Sequence, residues 1–108
     1  MSAELEAAVR ELEQAARELR APGVDGEREQ LDALIERHAT GWTLDRIAPL
    51  ERSILRVALY ELLHRSDIPA EVAIDEAVET AKELCGADAP GFVNGILGAV
   101  QREQVAAQ

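Results

Sequence analysis

Few side chains of this 108-residue chain are of the kinds that carry catalysis or hold a metal. His38, His64 and Cys85 are the whole inventory of imidazole and thiol. A zinc site needs about four such ligands at matched spacing, so this set is a poor one. Each histidine falls in the last turn of a helical block, where a cation complements the helix dipole. Cys85 stands beside Gly86 at a helix end and reads as a small hydrophobe rather than a nucleophile. Asp75, Glu76 and Glu79 put carboxylates on the outer face of one block, and a solvated acidic face accounts for them. Phosphate-binding glycine loops, a nucleophile elbow and the paired-histidine zinc helix are absent from the sequence. The expectation is a non-enzyme without cofactor or metal.

Residues that break local rules are more informative. Phe92-Val93-Asn94-Gly95-Ile96-Leu97-Gly98 has helical periodicity, yet Asn94 and Gly95 lie inside it. A glycine in a helix interior costs about 1 kcal/mol relative to alanine. Asparagine competes for backbone hydrogen bonds there. Gly91, Gly95 and Gly98 share one side at i, i+4 and i+7. Two readings stand: close approach of a neighbouring helix, or a surface where another molecule meets the backbone. Tyr60 and Glu61 interrupt the most apolar block on what reads as its less buried side. Tyr60 suits an amphipathic core position, and Glu61 is either a surface acid or a partner contact.

Glycine and proline divide the chain into helical blocks, and none shows the alternation of a strand. The first spans about 3–20, with Leu5, Leu12 and Leu19 at heptad spacing and Glu6–Arg10 and Glu13–Arg17 as i,i+4 pairs. Ala21 to Gly26 is a loop. A second helix over about 27–40 presents Leu31, Leu34, Ile35 and His38, with Gly41 placed to end it. After a short connection, Pro49 suits the first position of a third helix running to about Arg65. Its stripe is Leu50, Ile54, Leu55, Ala58, Leu59, Leu62 and Leu63. A fourth over about 70–85 carries Ile74, Ala77, Val78, Ala81 and Leu84. The last, over about 91–103, buries Phe92, Val93, Ile96, Leu97 and Val100, and the tail beyond it frays. The fold class is all-α, a compact bundle of about five helices: residues 1–26 form an amphipathic helix and loop, and 27–108 the main helical domain.

The formal charge is −10, and aromatic residues make up only 3%. An acidic surface argues against a broad nucleic-acid footprint, which needs clustered Lys and Arg. The local concentration of arginine is Arg46, Arg52, Arg56 and Arg65 around the third helix. The N-terminus has neither basic nor apolar leader character, and no stretch approaches the roughly 20 apolar residues of a membrane span. A cytoplasmic location is expected.

Taken in order, these blocks resemble a known family. Gly41-Trp42-Thr43-Leu44-Asp45-Arg46-Ile47-Ala48-Pro49-Leu50 leads into Ile54-Leu55-Arg56-Val57-Ala58-Leu59-Tyr60-Glu61-Leu62. Ser66-Asp67-Ile68-Pro69, Val72-Ala73-Ile74-Asp75-Glu76-Ala77-Val78, Ala81-Lys82 and Phe92-Val93-Asn94-Gly95-Ile96-Leu97 follow. Over about 29–101 the chain resembles the bacterial transcription antitermination factor NusB. The resemblance implies a NusB-like helical fold, pairing with the ribosomal protein NusE, and binding of boxA RNA from ribosomal RNA operons. By position it implies a partner-binding role for Glu61, with Tyr60 beside it. It also places Phe92, Asn94 and Gly98 near RNA; Arg52 and Arg56, from the arginine concentration around the third helix, are the candidate RNA-binding cations.

The N-terminal part departs from that pattern. NusB proteins open with an arginine-rich helix, whereas this first block sets Arg10, Arg17 and Arg20 among five glutamates. At 108 residues the chain is short for the family. Direct RNA affinity should be weak, since few phosphates can be neutralised. The alternative is a protein-interaction module of NusB fold that has lost direct RNA binding and self-associates through residues 3–20. A NusB-like domain preceding an RNA cytosine methyltransferase is a third reading, although the chain holds no methyltransferase motif.

Overall fold

A computed structural model describes residues 27–107, so the expected helix over 3–20 lies outside the described residues. Those described form four α-helices: α1 (Arg28–His38), α2 (Pro49–His64), α3 (Ala70–Leu84) and α4 (Ala89–Ala106). A single 3-10 turn, Leu44–Arg46, interrupts the α1–α2 connection. The helices α2 and α4 form the middle of the bundle, each packing on the other and on both α1 and α3.

Proline and glycine act at the boundaries by different means. Pro49 opens α2, where its missing N–H is one the helix would leave unbonded anyway. Gly41 adopts a left-handed conformation, with φ of +82°. It does so two residues beyond the cap at Ala39, inside a turn closed by the Trp42 N–H donating to the Ala39 carbonyl. The helix therefore ends earlier than Gly41 suggested. Gly86 follows α3 without a positive φ. The helix α4 outruns its expected limits at both ends. It starts at Ala89 with Pro90 in its first turn, and it continues to Ala106 where fraying was expected.

The core lies where the apolar periodicities converge. Leu31 and Ile35 of α1 meet Ile54, Leu55, Ala58 and Leu59 of α2. Ile74, Ala77 and Ala81 of α3 and Val93, Ile96, Leu97 and Val100 of α4 complete the cluster. Leu34, Leu62, Leu63, Val78, Leu84 and Phe92 are half-buried at its margin. Alanine on α3 lets that helix lie close to its neighbours, and α3 packs most extensively on α4. Among the described residues, no helix is long and apolar enough to cross a membrane.

Ionic contacts fasten α1 to the central pair. The Arg56 guanidinium of α2 donates from Nε and Nη2 to the two oxygens of Asp32 on α1, at 2.6 and 3.1 Å. Glu27, ahead of α1, is 2.7 Å from Nε2 of His64 at the end of α2. At the other end of α1, Glu103 of α4 lies 3.0 Å from Arg37 and also against the His38 ring.

Candidate functional site

The outer face of α4 carries the residues that made poor sense as plain helix. Gly91, Asn94 and Gly95 are exposed, and Gly98 is half-buried. A Cβ at Gly91 or Gly95 would meet nothing within 4 Å. At Gly98 it would meet only the Arg102 guanidinium of the same helix, at 3.4 Å. Among the described residues no neighbouring helix approaches these glycines, so packing of α1, α2 or α3 does not account for them. What they leave is a low strip of accessible backbone, with the Asn94 amide on one flank. Asn94 offers both donor and acceptor. Arg102 continues the strip at i+4 from Gly98 and supplies its cation. Sequence reasoning passed over Arg102, although its register with the glycines was the available signal.

Phe92 occupies the opposite flank. It is half-buried, and its ring stands edge-to-face with Trp42 at 6.4 Å between centroids. Trp42 itself is 52% exposed. The two rings border an open cleft of about 280 Å³ between the start of α2 and the first turn of α4. Ile47, Ala48 and Ala89 form its apolar lining, and Arg46, Glu51 and Asp88 its polar one. Burial pushes the Glu51 carboxyl above its ordinary value. Burial, then the Glu51 charge, pushes the Cys85 thiol up as well, which disfavours the thiolate that nucleophilic chemistry requires.

The arginines in and around α2 do not assemble into a basic patch. Arg56 is only 8% exposed, and its guanidinium is committed to Asp32. It therefore holds α1 on α2 and is not placed to meet a phosphate. Arg52 is half-buried, and its Nε is buried without a hydrogen-bond partner among the described residues. Arg65 forms a two-bond pair with Asp67, at 2.9 and 2.8 Å. Arg46 is exposed at the edge of the aromatic cleft. Charge counting along the sequence could not separate these roles, because it does not show which acid faces which base.

Tyr60 and Glu61 lie near the end of α2. Tyr60 is half-buried, with its ring tilted against His64 at 4.9 Å. Glu61 is 8% exposed, deeper than its expected place on the less buried side. It lines a shallow groove between α2 and α3 whose floor includes Val57, Ala58, Ala73 and Ala77 and whose far wall includes Glu76. Asp75, Glu76 and Glu79 are exposed on α3. Among the described residues no three His, Cys, Asp or Glu side chains converge on a point that could hold a metal.

Comparison with known proteins agrees with this architecture. The NusB family model matches residues 3–102. The match thus begins well before residue 29, where the motif blocks first show the resemblance, and takes in most of the N-terminal segment. A solved structure of T. maritima NusB is 43% identical, with a TM-score of 0.74, and the alignment covers 84% of this chain and 63% of that one. The chain therefore spans less than two thirds of the length of that relative. On the family match and this likeness together, the chain belongs to the NusB family.

Proposed function

We propose that the chain is a non-catalytic transcription antitermination factor that binds boxA-type RNA of ribosomal RNA operons together with NusE. The observation that carries this reading is the outer face of α4: exposed Gly91, Asn94 and Gly95, with none of the described helices covering them. A single-stranded RNA recognised there meets accessible backbone, an amide that pairs with a base edge, and the Arg102 cation. Arg56 drops out of the RNA set, since its charge is taken by Asp32. The cations that remain to this face among the described residues, Arg46, Arg52 and Arg102, are few. RNA binding by the lone chain is therefore weak, and NusE supplies much of the affinity.

NusE docks over the groove holding Glu61, with Tyr60 at its edge. The acidic outer face of α3, with Asp75, Glu76 and Glu79 exposed, complements a basic ribosomal protein.

Anisotropy titration of labelled boxA RNA tests the reading, with NusE present and absent and over a salt series. Binding should require NusE and weaken steeply with salt. N94A should lower affinity by about threefold to tenfold, the value of one hydrogen-bonded contact. Unchanged affinity in N94A removes the α4 face from the RNA site. For the partner surface, Glu61→Gln is the useful variant, because a buried reversal to lysine would also strain the fold. Unchanged NusE affinity in E61Q removes Glu61 from that interface.

A further inference from the structure

We infer that the cleft between Trp42 and Phe92 is a pocket for one nucleobase bearing an exocyclic amine, contributed by the RNA that lies along α4. This inference rests on the RNA reading above and adds a base-selective subsite to it.

Three observations place a base there. The first is the aromatic pair. Trp42 is 52% exposed and turned edge-to-face against Phe92, so its indole face is not used up by stacking among the described residues. Every base has a face that stacks on such a ring. The second is the shape and lining of the cleft. About 280 Å³ of open space over Ile47, Ala48 and Ala89 fits a flat, largely apolar group better than a phosphate. The third is Glu51. Its carboxyl is half-buried in the cleft wall, and no described residue donates a hydrogen bond to it. A half-buried carboxylate that no side chain answers is open to an amine on a base edge, which supplies a donor. Adenine, cytosine and guanine carry such an amine and uracil does not.

The cleft is also continuous with the proposed RNA face. Phe92 follows Gly91 on α4, and Asp88 and Ala89 open the same helix. A strand passing over Gly91 and Gly95 can turn one base into the cleft, with Arg46 at the rim to receive the adjoining phosphate. Asp88, the second carboxylate of the lining, keeps phosphates away from the floor and reinforces selection for a donor edge.

Trp42 is the chain's sole tryptophan, so its emission reports this cleft directly. The full chain with NusE is titrated with short single-stranded RNAs of mixed adenine and cytosine, and separately with oligouridylate. Anisotropy of labelled RNA follows binding, Trp42 emission follows the cleft, and the W42A titration serves as the fluorescence blank. The amine-bearing RNA should quench Trp42 and bind W42A about tenfold less tightly, the order expected for one lost stack. Oligouridylate should quench less and lose less. W42F should recover part of the affinity, and E51Q should narrow the preference for amine-bearing bases. RNA that binds by anisotropy, leaves Trp42 emission unchanged and binds W42A as tightly overturns the cleft while sparing the α4 reading. Equal quenching by oligouridylate, unaltered in E51Q, overturns the base selectivity. No binding of either RNA overturns the RNA reading and the cleft with it.

Discussion

The helices α2 and α4 hold equivalent places, each packed on every other helix of the described bundle, yet they depart from amphipathic pattern in opposite directions. The helix α2 takes polarity inward: Ser53, Arg56 and Glu61 are all buried. The helix α4 turns small residues outward, with Gly91 and Gly95 exposed beside Asn94. For Arg56 the explanation lies within the chain, because Asp32 receives its guanidinium through two hydrogen bonds. For the glycines no explanation lies within the described residues, because a Cβ at Gly91 or Gly95 would touch none of them. A polar residue that finds its partner inside is architecture. A helix-weakening residue with no internal reason points outward, to something that meets the surface.

The largest test of this contrast is R56A. Removing the guanidinium leaves the Asp32 carboxylate largely buried and unpaired, which should cost about 3 kcal/mol in urea unfolding. The double variant R56M/D32L should recover most of that loss, since an apolar pair of similar size replaces the ion pair. If R56A costs less than about 1 kcal/mol, Arg56 returns to the candidate surface cations and the contrast between the helices fails.

G95A probes the other side and should move in the opposite direction. Alanine in an exposed helix interior with room for its Cβ should stabilise the chain by about 0.5–1 kcal/mol, read from thermal unfolding. The same variant should weaken RNA binding, because the added methyl group stands on the strip that the strand approaches. Gain of stability with loss of binding is the signature of a surface kept low for a ligand. Loss of stability in G95A would show that the backbone there is more closely packed than the contrast requires.

E103A brings the two helices onto a common scale. Glu103 ties α4 to Arg37 and His38 of α1, as Arg56 ties α2 to Asp32, but it does so at the surface. Its removal should cost about 0.5 kcal/mol, as screened ion pairs usually do. A cost near that of R56A would mean that burial does not separate the two fastenings.

Most of the bundle was legible from the order of apolar residues. The expected span of about 49–65 is Pro49–His64 in the structure, and about 70–85 is Ala70–Leu84. Leu31, Ile35, Ile54, Leu59, Val93 and Leu97 are in the core where periodicity put them. The misplacements share one cause. Arg56 and Glu61 looked like surface residues because one-dimensional spacing cannot show which acid on α1 faces an arginine on α2, or how far α3 leans over the end of α2. Ala106 lies within α4 although its sequence suggests fraying, because Glu103 anchors that stretch to α1. The glycine side of α4 was visible in the register, but choosing between helix contact and open surface required the neighbouring helices to be in place. Trp42 and Glu51 are nine residues apart and share no motif, so their common cleft exists only in three dimensions.

The smallest expected effect lies where the two helices meet, at Glu51 in the first turn of α2 beside the first turn of α4. Burial raises its carboxyl above the ordinary value near 4.5. Between that value and the raised one, the folded chain holds a proton that the unfolded chain has released. Stability must therefore decline as pH rises through that window, and the ionised carboxylate remains a small liability above it. E51Q should flatten this slope and leave the chain slightly more stable at neutral pH, measured by urea unfolding between pH 4 and pH 7. The liability has no compensating contact within the described chain, in contrast to Asp32, whose charge Arg56 answers. If E51Q instead destabilises at neutral pH, the carboxylate is answered by a donor inside the chain. Glu51 then belongs with the inward polarity of α2 rather than with the outward-facing residues of α4.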